Sequence, residues 1–351
     1  MNILQYLTDE SILASFLKTL SPTVIILMMV ANFIILTKGA DVMIDGVVSL
    51  ARRTGLPKVV IGATILSLGT TMPEAIVSVT AAWMGNAGLA LGNGVGSIVA
   101  DTGLIFGLVC IFSVVPINRY ILNRTGWVQV GAATLLVLLS FLAWIKSPEA
   151  PVISRSVGFL FLSLLLLYLF MTYRWACRKE SLGYTDDDAS LTHTHNLTAS
   201  ATMVIGGLVL VVGGARFLVP CAVEFAYRVG VPEDIVAATI VALGTSLPEL
   251  MTAMTSIRKK HPEIALGNVV GADVLNCLFV IGAAAAARPL AIPSNFMLFH
   301  YPAMLIILFS FRGFIFMNRR GCFYRWQGLW LLAVYLLYVT LQYSLGINGG
   351  T

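Results

Sequence analysis

The chain has 351 residues, 58% of them hydrophobic and only 11% charged, with a mean hydropathy of +0.88. A soluble domain of this length is not so apolar, so the sequence belongs in a bilayer. Its formal net charge of +5 implies no nucleic-acid partner, because the basic residues segregate to the loops of one membrane face.

In chain order, residues 1–21 lack the basic start and small-residue cleavage site of a signal peptide and read as an N-terminal interfacial segment. After them come apolar runs long enough to cross a hydrocarbon core of ~30 Å, which takes about 20 residues. Ten spans are predicted, at 22–50, 58–83, 88–115, 121–145, 153–173, 199–227, 234–257, 263–287, 295–317 and 324–345. The first five form a first repeat over 22–173 and the last five a second over 199–345. Between them lies a polar stretch, 174–198, which reads as a cytoplasmic linker. Its Asp186, Asp187, Asp188, His193 and His195 suit a solvated segment better than a regulatory metal site. Cys110, Cys177, Cys221, Cys277 and Cys322 are scattered and read as packing residues, not a disulfide framework.

The predicted fold class is an all-α polytopic membrane protein. Five spans per repeat is an odd number, so the second repeat enters from the opposite face and the two are inverted. Arg52, Arg53, Lys58, Arg119, Arg124, Arg174, Arg178, Lys179, Arg258, Lys259, Lys260, Arg319, Arg320 and Arg325 fall on one side; Lys18, Lys146, Arg155, Arg228 and Arg288 fall on the other. The positive-inside rule makes the first side cytoplasmic and puts both termini outside. Sequons at Asn123 and Asn196 then lie on the cytoplasmic side, away from glycosylation.

Residues 39–107 align without a gap onto 214–282 at a constant offset of 175, with more than twenty identities. Each copy holds an acid within an apolar stretch: GTTMPE ends at Glu74 and GTSLPE at Glu249. A GNxxG segment follows (Gly92, Asn93, Gly96; Gly267, Asn268, Gly271), then a polar residue 27 positions after the glutamate, Asp101 and Asn276. Pro73 and Pro248 remove a helical hydrogen bond, so the helices are expected to break near Gly69–Thr71 and its counterpart. In hydrocarbon, such a break persists where a cation or water satisfies the freed carbonyls.

Thr70 and Glu74 share a helical face at i, i+4, as do Thr245 and Glu249, and Ser97 and Asp101. The expected cage has the side chains of Glu74, Asp101, Glu249 and Asn276, the hydroxyls of Thr70, Thr71, Ser97, Thr245 and Ser246, and carbonyls near Ser67 and Ala242. All-oxygen coordination selects hard cations such as calcium and sodium, with magnesium or manganese as alternatives. A charge at the bilayer centre costs about 3 kcal/mol, so these acids hold metal ions or protons throughout, which is the physical basis of exchange. Asp41, Asp45 and Lys38, at i, i+3 and i+7 along the first span, read as a local charge group or vestibule lining.

The doubled motif resembles the α-repeats of the calcium/cation antiporter superfamily, most of all the prokaryotic sodium/calcium exchangers. That resemblance implies ten helices in two inverted repeats and calcium export driven by inward sodium flow through alternating access. It also implies that spans 22–50 and 199–227 slide as the gate. By position it places Thr70, Glu74, Thr245 and Glu249 around calcium, with Ser67, Thr71, Ser97, Ala242 and Ser246 serving sodium. The chain departs from the family in two places. Asp101 and Asn276 are in the reverse order, and Ala272 stands where a serine hydroxyl is usual.

The expected activity is therefore antiport of calcium for sodium across a plasma (bacterial inner) membrane, with the lipid bilayer as surroundings, no cofactor and no enzymatic step. One chain suffices, because it closes its own two-fold site. The rivals are a proton/calcium or potassium-dependent antiporter of the same fold, and a passive channel. An intramembrane aspartyl protease built on Asp101 and Asp273 is set aside, because Ile98 and not an acid lies opposite Asp273 in the repeat.

Overall fold

The computed structural model describes residues 10–117, 119–180, 196–230, 244–318 and 321–344. They are almost wholly helical. A short helix, α1 (Glu10–Thr19), precedes α2 (Pro22–Thr54). A pair bent by 43°, α3 (Lys58–Thr70) and α4 (Met72–Met84), follows. Then come α5 (Ala87–Phe112), α6 (Arg119–Lys146), α7 (Arg155–Glu180) and α8 (Leu197–Arg228). The chain continues with α9 (Leu247–Arg258), α10 (Pro262–Ala287), α11 (Phe296–Met317) and α12 (Arg325–Ser344). Seven of these helices are long and apolar enough to cross a membrane, or eight if the bent pair counts as one span. The chain is thus an integral membrane protein.

Each expected span overlaps a helix where its residues are described, to within a few residues at the ends. Two details differ. Helix α7 runs to Glu180, through the first residues assigned to the linker, and α8 begins at Leu197, within its last ones; residues 181–195 between them lie outside the described residues, as does 231–243, which takes in the start of the span expected at 234–257. The helical expectation also omits one small sheet: β1 (Val152–Ile153) pairs antiparallel with β2 (Leu290–Ala291).

Loop contacts divide the helix ends into two groups. In one, Lys58 forms an ion pair with Glu263 at 3.3 Å, and Pro116 bridges to Cys322. In the other, Arg228 donates to the carbonyls of Leu17 and Leu20, Arg288 to that of Trp83, and β1 meets β2.

Helices α2 and α8 cross closely because glycines line both. A Cβ on Gly39 would lie 2.9 Å from the Val211 nitrogen, and one on Gly207 would lie 2.6 Å from the Met43 nitrogen. Backbones approach this closely only where side chains are missing. The remaining helices enclose the main core, in which Phe106, Phe311 and Phe323 stack edge-to-face and face-to-face.

Candidate ion-binding site

Pro73 sits at the second position of α4 and Pro248 at the second position of α9, where the missing N–H costs no helical bond. The break after α3 is accordingly a single residue, Thr71, and not the unwound Gly69–Thr71 stretch expected from sequence. In the second copy Thr245 and Ser246 form the turn. Each break puts its glutamate in the first turn of a new helix, where the positive end of the helix dipole favours a carboxylate.

Glu74 and Glu249 are each 1% exposed, and the charge of Glu74 is felt at Glu249 across the two copies. Thr70 and Thr71 lie against the Glu249 carboxyl. Asp101 acts on Glu74 and is acted on by Glu249. Among the described residues no Lys, Arg or His forms an ion pair with any of these three acids. Glu74 Oε2, Glu249 Oε2, Asp101 Oδ1, Asn276 Oδ1 and Thr71 Oγ1 are buried without a hydrogen-bond partner. Donor-less oxygens in an apolar centre are stabilised by positive charge.

Asp101 and Asn276 sit at matching points of wide helical turns. The π-helical segment Ala100–Ile105 interrupts α5, and Asn276–Ile281 interrupts α10. Such turns carry an extra residue, loosen the carbonyl ladder and recur at functional sites. Nothing in the sequence motif announced them. Asn276 Nδ2 donates to Asp101 Oδ2 at 3.3 Å.

Of the other expected residues, Ser67, Ser97 and Ser246 are buried and Thr245 is half-buried. Thr70 Oγ1 is within reach of the Ser67 carbonyl at 3.4 Å and of Asn268 Oδ1 at 3.5 Å. Ala242 lies outside the described residues. Ala272 is fully buried and brings no hydroxyl. Among the described residues, no three His, Cys, Asp or Glu side chains cluster as a metal cage by themselves, so hydroxyl and carbonyl oxygens would have to complete any coordination shell.

The repeated asparagines, which from sequence could equally be packing residues, hold the breaks in place. Asn93 Nδ2 donates to the Glu74 carbonyl at 3.0 Å and to Ser78 Oγ at 2.9 Å. Asn268 Nδ2 donates to Thr252 Oγ1 at 3.2 Å, and that hydroxyl donates to the Glu249 carbonyl. A fourth buried acid stands beside these, one that the sequence offered only for the protease reading. Asp273 is 1% exposed and accepts hydrogen bonds from Thr102 and Gln129.

The fold and site together define a helical membrane transporter for cations. The sequence profile described as sodium/calcium exchanger protein matches residues 24–174 and 199–344, and the chain belongs to that family of antiporters. The sodium/calcium exchanger MaX1 of Methanosarcina acetivorans is 28% identical over 92% of this chain and 99% of its own length. The uncharacterized membrane protein MJ0091 of Methanocaldococcus jannaschii is 30% identical over 87% and 94%. The sodium-calcium exchanger NCX_Mj, in a structure soaked with 2.5 mM Na+ and 1 mM Sr2+, superposes with a TM-score of 0.75 at 23% identity, covering 90% of this chain and 97% of that one. This chain is therefore a cation exchanger, from a family of transporters.

Proposed function

We propose that the protein exchanges calcium for sodium by alternating access. In this reading it has ten spans arranged as two inverted five-helix repeats, 22–173 and 199–345, joined by the 174–198 linker. The observation that carries the reading is the meeting of Glu74 and Glu249, from matching positions of the two copies, in a buried setting without a basic partner. The two groups of loop contacts support the ten crossings. The basic-residue distribution supports a plasma (bacterial inner) membrane with both termini outside.

Calcium binds Glu74 and Glu249 together with Thr70 and Thr245. Sodium ions use Ser67, Thr71, Ser97, Ala242 and Ser246, and Asp101 and Asn276 adjust the charge between the two kinds of site. An adaptable set of carboxylate, hydroxyl and carbonyl oxygens fits calcium, whereas magnesium keeps its waters. Three acids balance one divalent ion or several monovalent ones, so a departing ion leaves at low cost only as others arrive. Sodium as the driving ion is favoured by the hydroxyl-rich set and by the similarity to the sodium/calcium exchangers MaX1 and NCX_Mj.

The test is calcium uptake into proteoliposomes holding the purified chain, with sodium, potassium and proton gradients imposed one at a time. Uptake should follow the outward sodium gradient at fixed pH. Uptake driven by a proton gradient without sodium would assign the protein to proton/calcium antiport instead.

A further inference from the structure

Asp273, Thr102 and Gln129 form a polar trio that the doubled architecture does not require. The repeat offset carries Asp273 onto Ile98 and Thr102 onto Cys277, and the same offset carries Gln129 onto Met304. Ile98, Cys277 and Met304 are all buried and apolar in character. Two places related by the repeat therefore differ: one is filled with packing residues, and the other holds an acid with its two donors.

The acid is not neutralised by a base: among the described residues no ion pair reaches it. Thr102 Oγ1 donates to Asp273 Oδ2, and Gln129 Nε2 donates to the same oxygen at 2.5 Å. Asp273 Oδ1 and Gln129 Oε1 are left buried without partners. Both orphans are acceptors, and they belong to two side chains already joined through Nε2 and Oδ2. A carboxylic acid and a primary amide pair naturally as N–H to O=C and O–H to O=C. One proton on Oδ1 satisfies that oxygen and supplies the donor that Gln129 Oε1 lacks. A hard cation such as calcium takes about six or more oxygens, more than the trio's side chains offer.

We propose that Asp273, Thr102 and Gln129 form a proton-binding site beside the exchange site, whose single proton resides on Asp273 and is sensed by Asp101. The route to Asp101 is short, because Thr102 is its chain neighbour on the Ala100–Ile105 turn and the Asp273 charge acts on Asp101. The titratable groups around the trio are Asp101 on α5, Glu249 of α9 beyond it, Cys277 on α10 with Tyr301 of α11 beside it, and Tyr335 of α12 over Gly103. None is basic. When the proton leaves, Asp101 gains a third acidic neighbour beside Glu74 and Glu249, and the exchange site holds calcium more tightly.

Two measurements on the full-length protein test this. In infrared difference spectra, the wild type should show a carboxylic-acid C=O band at neutral pH that Asp273→Asn removes; absence of any such difference would overturn the proposal. So would loss of the band on adding sodium or potassium at constant pH, because the occupant would then be an alkali ion. In proteoliposomes, the wild-type apparent KM for calcium should fall about fivefold or more from neutral to alkaline pH, the lower end of ordinary couplings between sites. The Asp273→Asn profile should stay flat over that range, and superimposable profiles would refute the coupling. If Asp273→Asn does not fold, Gln129→Met serves, and should move the acid band to higher frequency through loss of a hydrogen-bond donor; an unmoved band counts against the site. The inference builds on the exchange site proposed above, but the spectroscopic measurement needs no transport, so its failure is separable from failure of the sodium/calcium reading.

Discussion

Asn276 Nδ2 donates to Asp101 Oδ2 at 3.3 Å, and the two residues stand 175 positions apart, the offset that relates the two copies of the motif. Equivalent positions of two related halves touch each other only near the axis that relates them. The contact is therefore a marker of the pseudo-symmetry centre. Glu74, related to Glu249 by the same offset, acts on it electrostatically. A site at such an axis draws equally on both copies, and it can be offered to either membrane face by the same motion run in opposite senses.

Because Asp101 and Asn276 meet at that centre, the order in which acid and amide are distributed should matter less than their sum. Asp101→Asn alone should raise the apparent KM for calcium by about tenfold, roughly 1.4 kcal/mol. The double variant Asp101→Asn/Asn276→Asp should recover most of that loss. Calcium-dependence curves for the three proteins provide the check, and a double variant as impaired as the single one would argue against a shared central position.

Neutralising either glutamate should be far more damaging. Glu74→Gln and Glu249→Gln each remove a carboxylate oxygen that has no other partner, and a charge interaction of about 3 kcal/mol corresponds to a rate loss on the order of 100-fold. The proteins should still purify as monodisperse species, since no structural ion pair is broken. Isotopic calcium counterflow is the measurement, and wild-type exchange in either variant would remove these residues from the site.

The helix ranges were legible because hydropathy alone marks them: the span expected at 121–145 lies within Arg119–Lys146. Glu74 and Glu249 were legible because the motif is doubled and an unpaired acid stands out in an apolar run. What escaped was set by tertiary contacts. The wide turns at Ala100–Ile105 and Asn276–Ile281 have no composition of their own. Asp273 has no acidic mate in the repeat, and its hydrogen-bond partner Gln129 lies 144 residues away, beyond the reach of any local pattern. The break at Pro73 was foreseen, but its narrowness was not, because it depends on proline falling at the second helical position and not inside a helix.

The GNxxG glycine nearest the site should be intolerant of even one methyl group. A Cβ on Gly271 would lie 2.5 Å from both the Ala63 carbonyl oxygen and Ser67 Oγ, pressing α10 away from α3. Gly271→Ala is expected to cost about 1–3 kcal/mol, as overpacking does. Gly206→Ala, where nothing lies within 4 Å, should leave the melting temperature unchanged. Thermal unfolding in detergent distinguishes them, and equal melting temperatures for the two variants would show that the close approach is not required.

Acidification should inhibit exchange. Protons and cations compete for the same oxygens of Glu74, Glu249 and Asp101, and a protonated carboxyl cannot ligate a metal. As pH falls below neutral, the apparent KM for calcium should rise by up to about tenfold per pH unit where one proton competes with one cation. The maximal rate at saturating calcium should change less, because excess calcium displaces the proton. Initial uptake rates across a calcium series at several fixed pH values, with sodium held constant, separate the two effects. A fall in maximal rate with an unchanged KM would place the inhibitory proton outside the ion-binding oxygens, on a group that governs the motion of the helices instead.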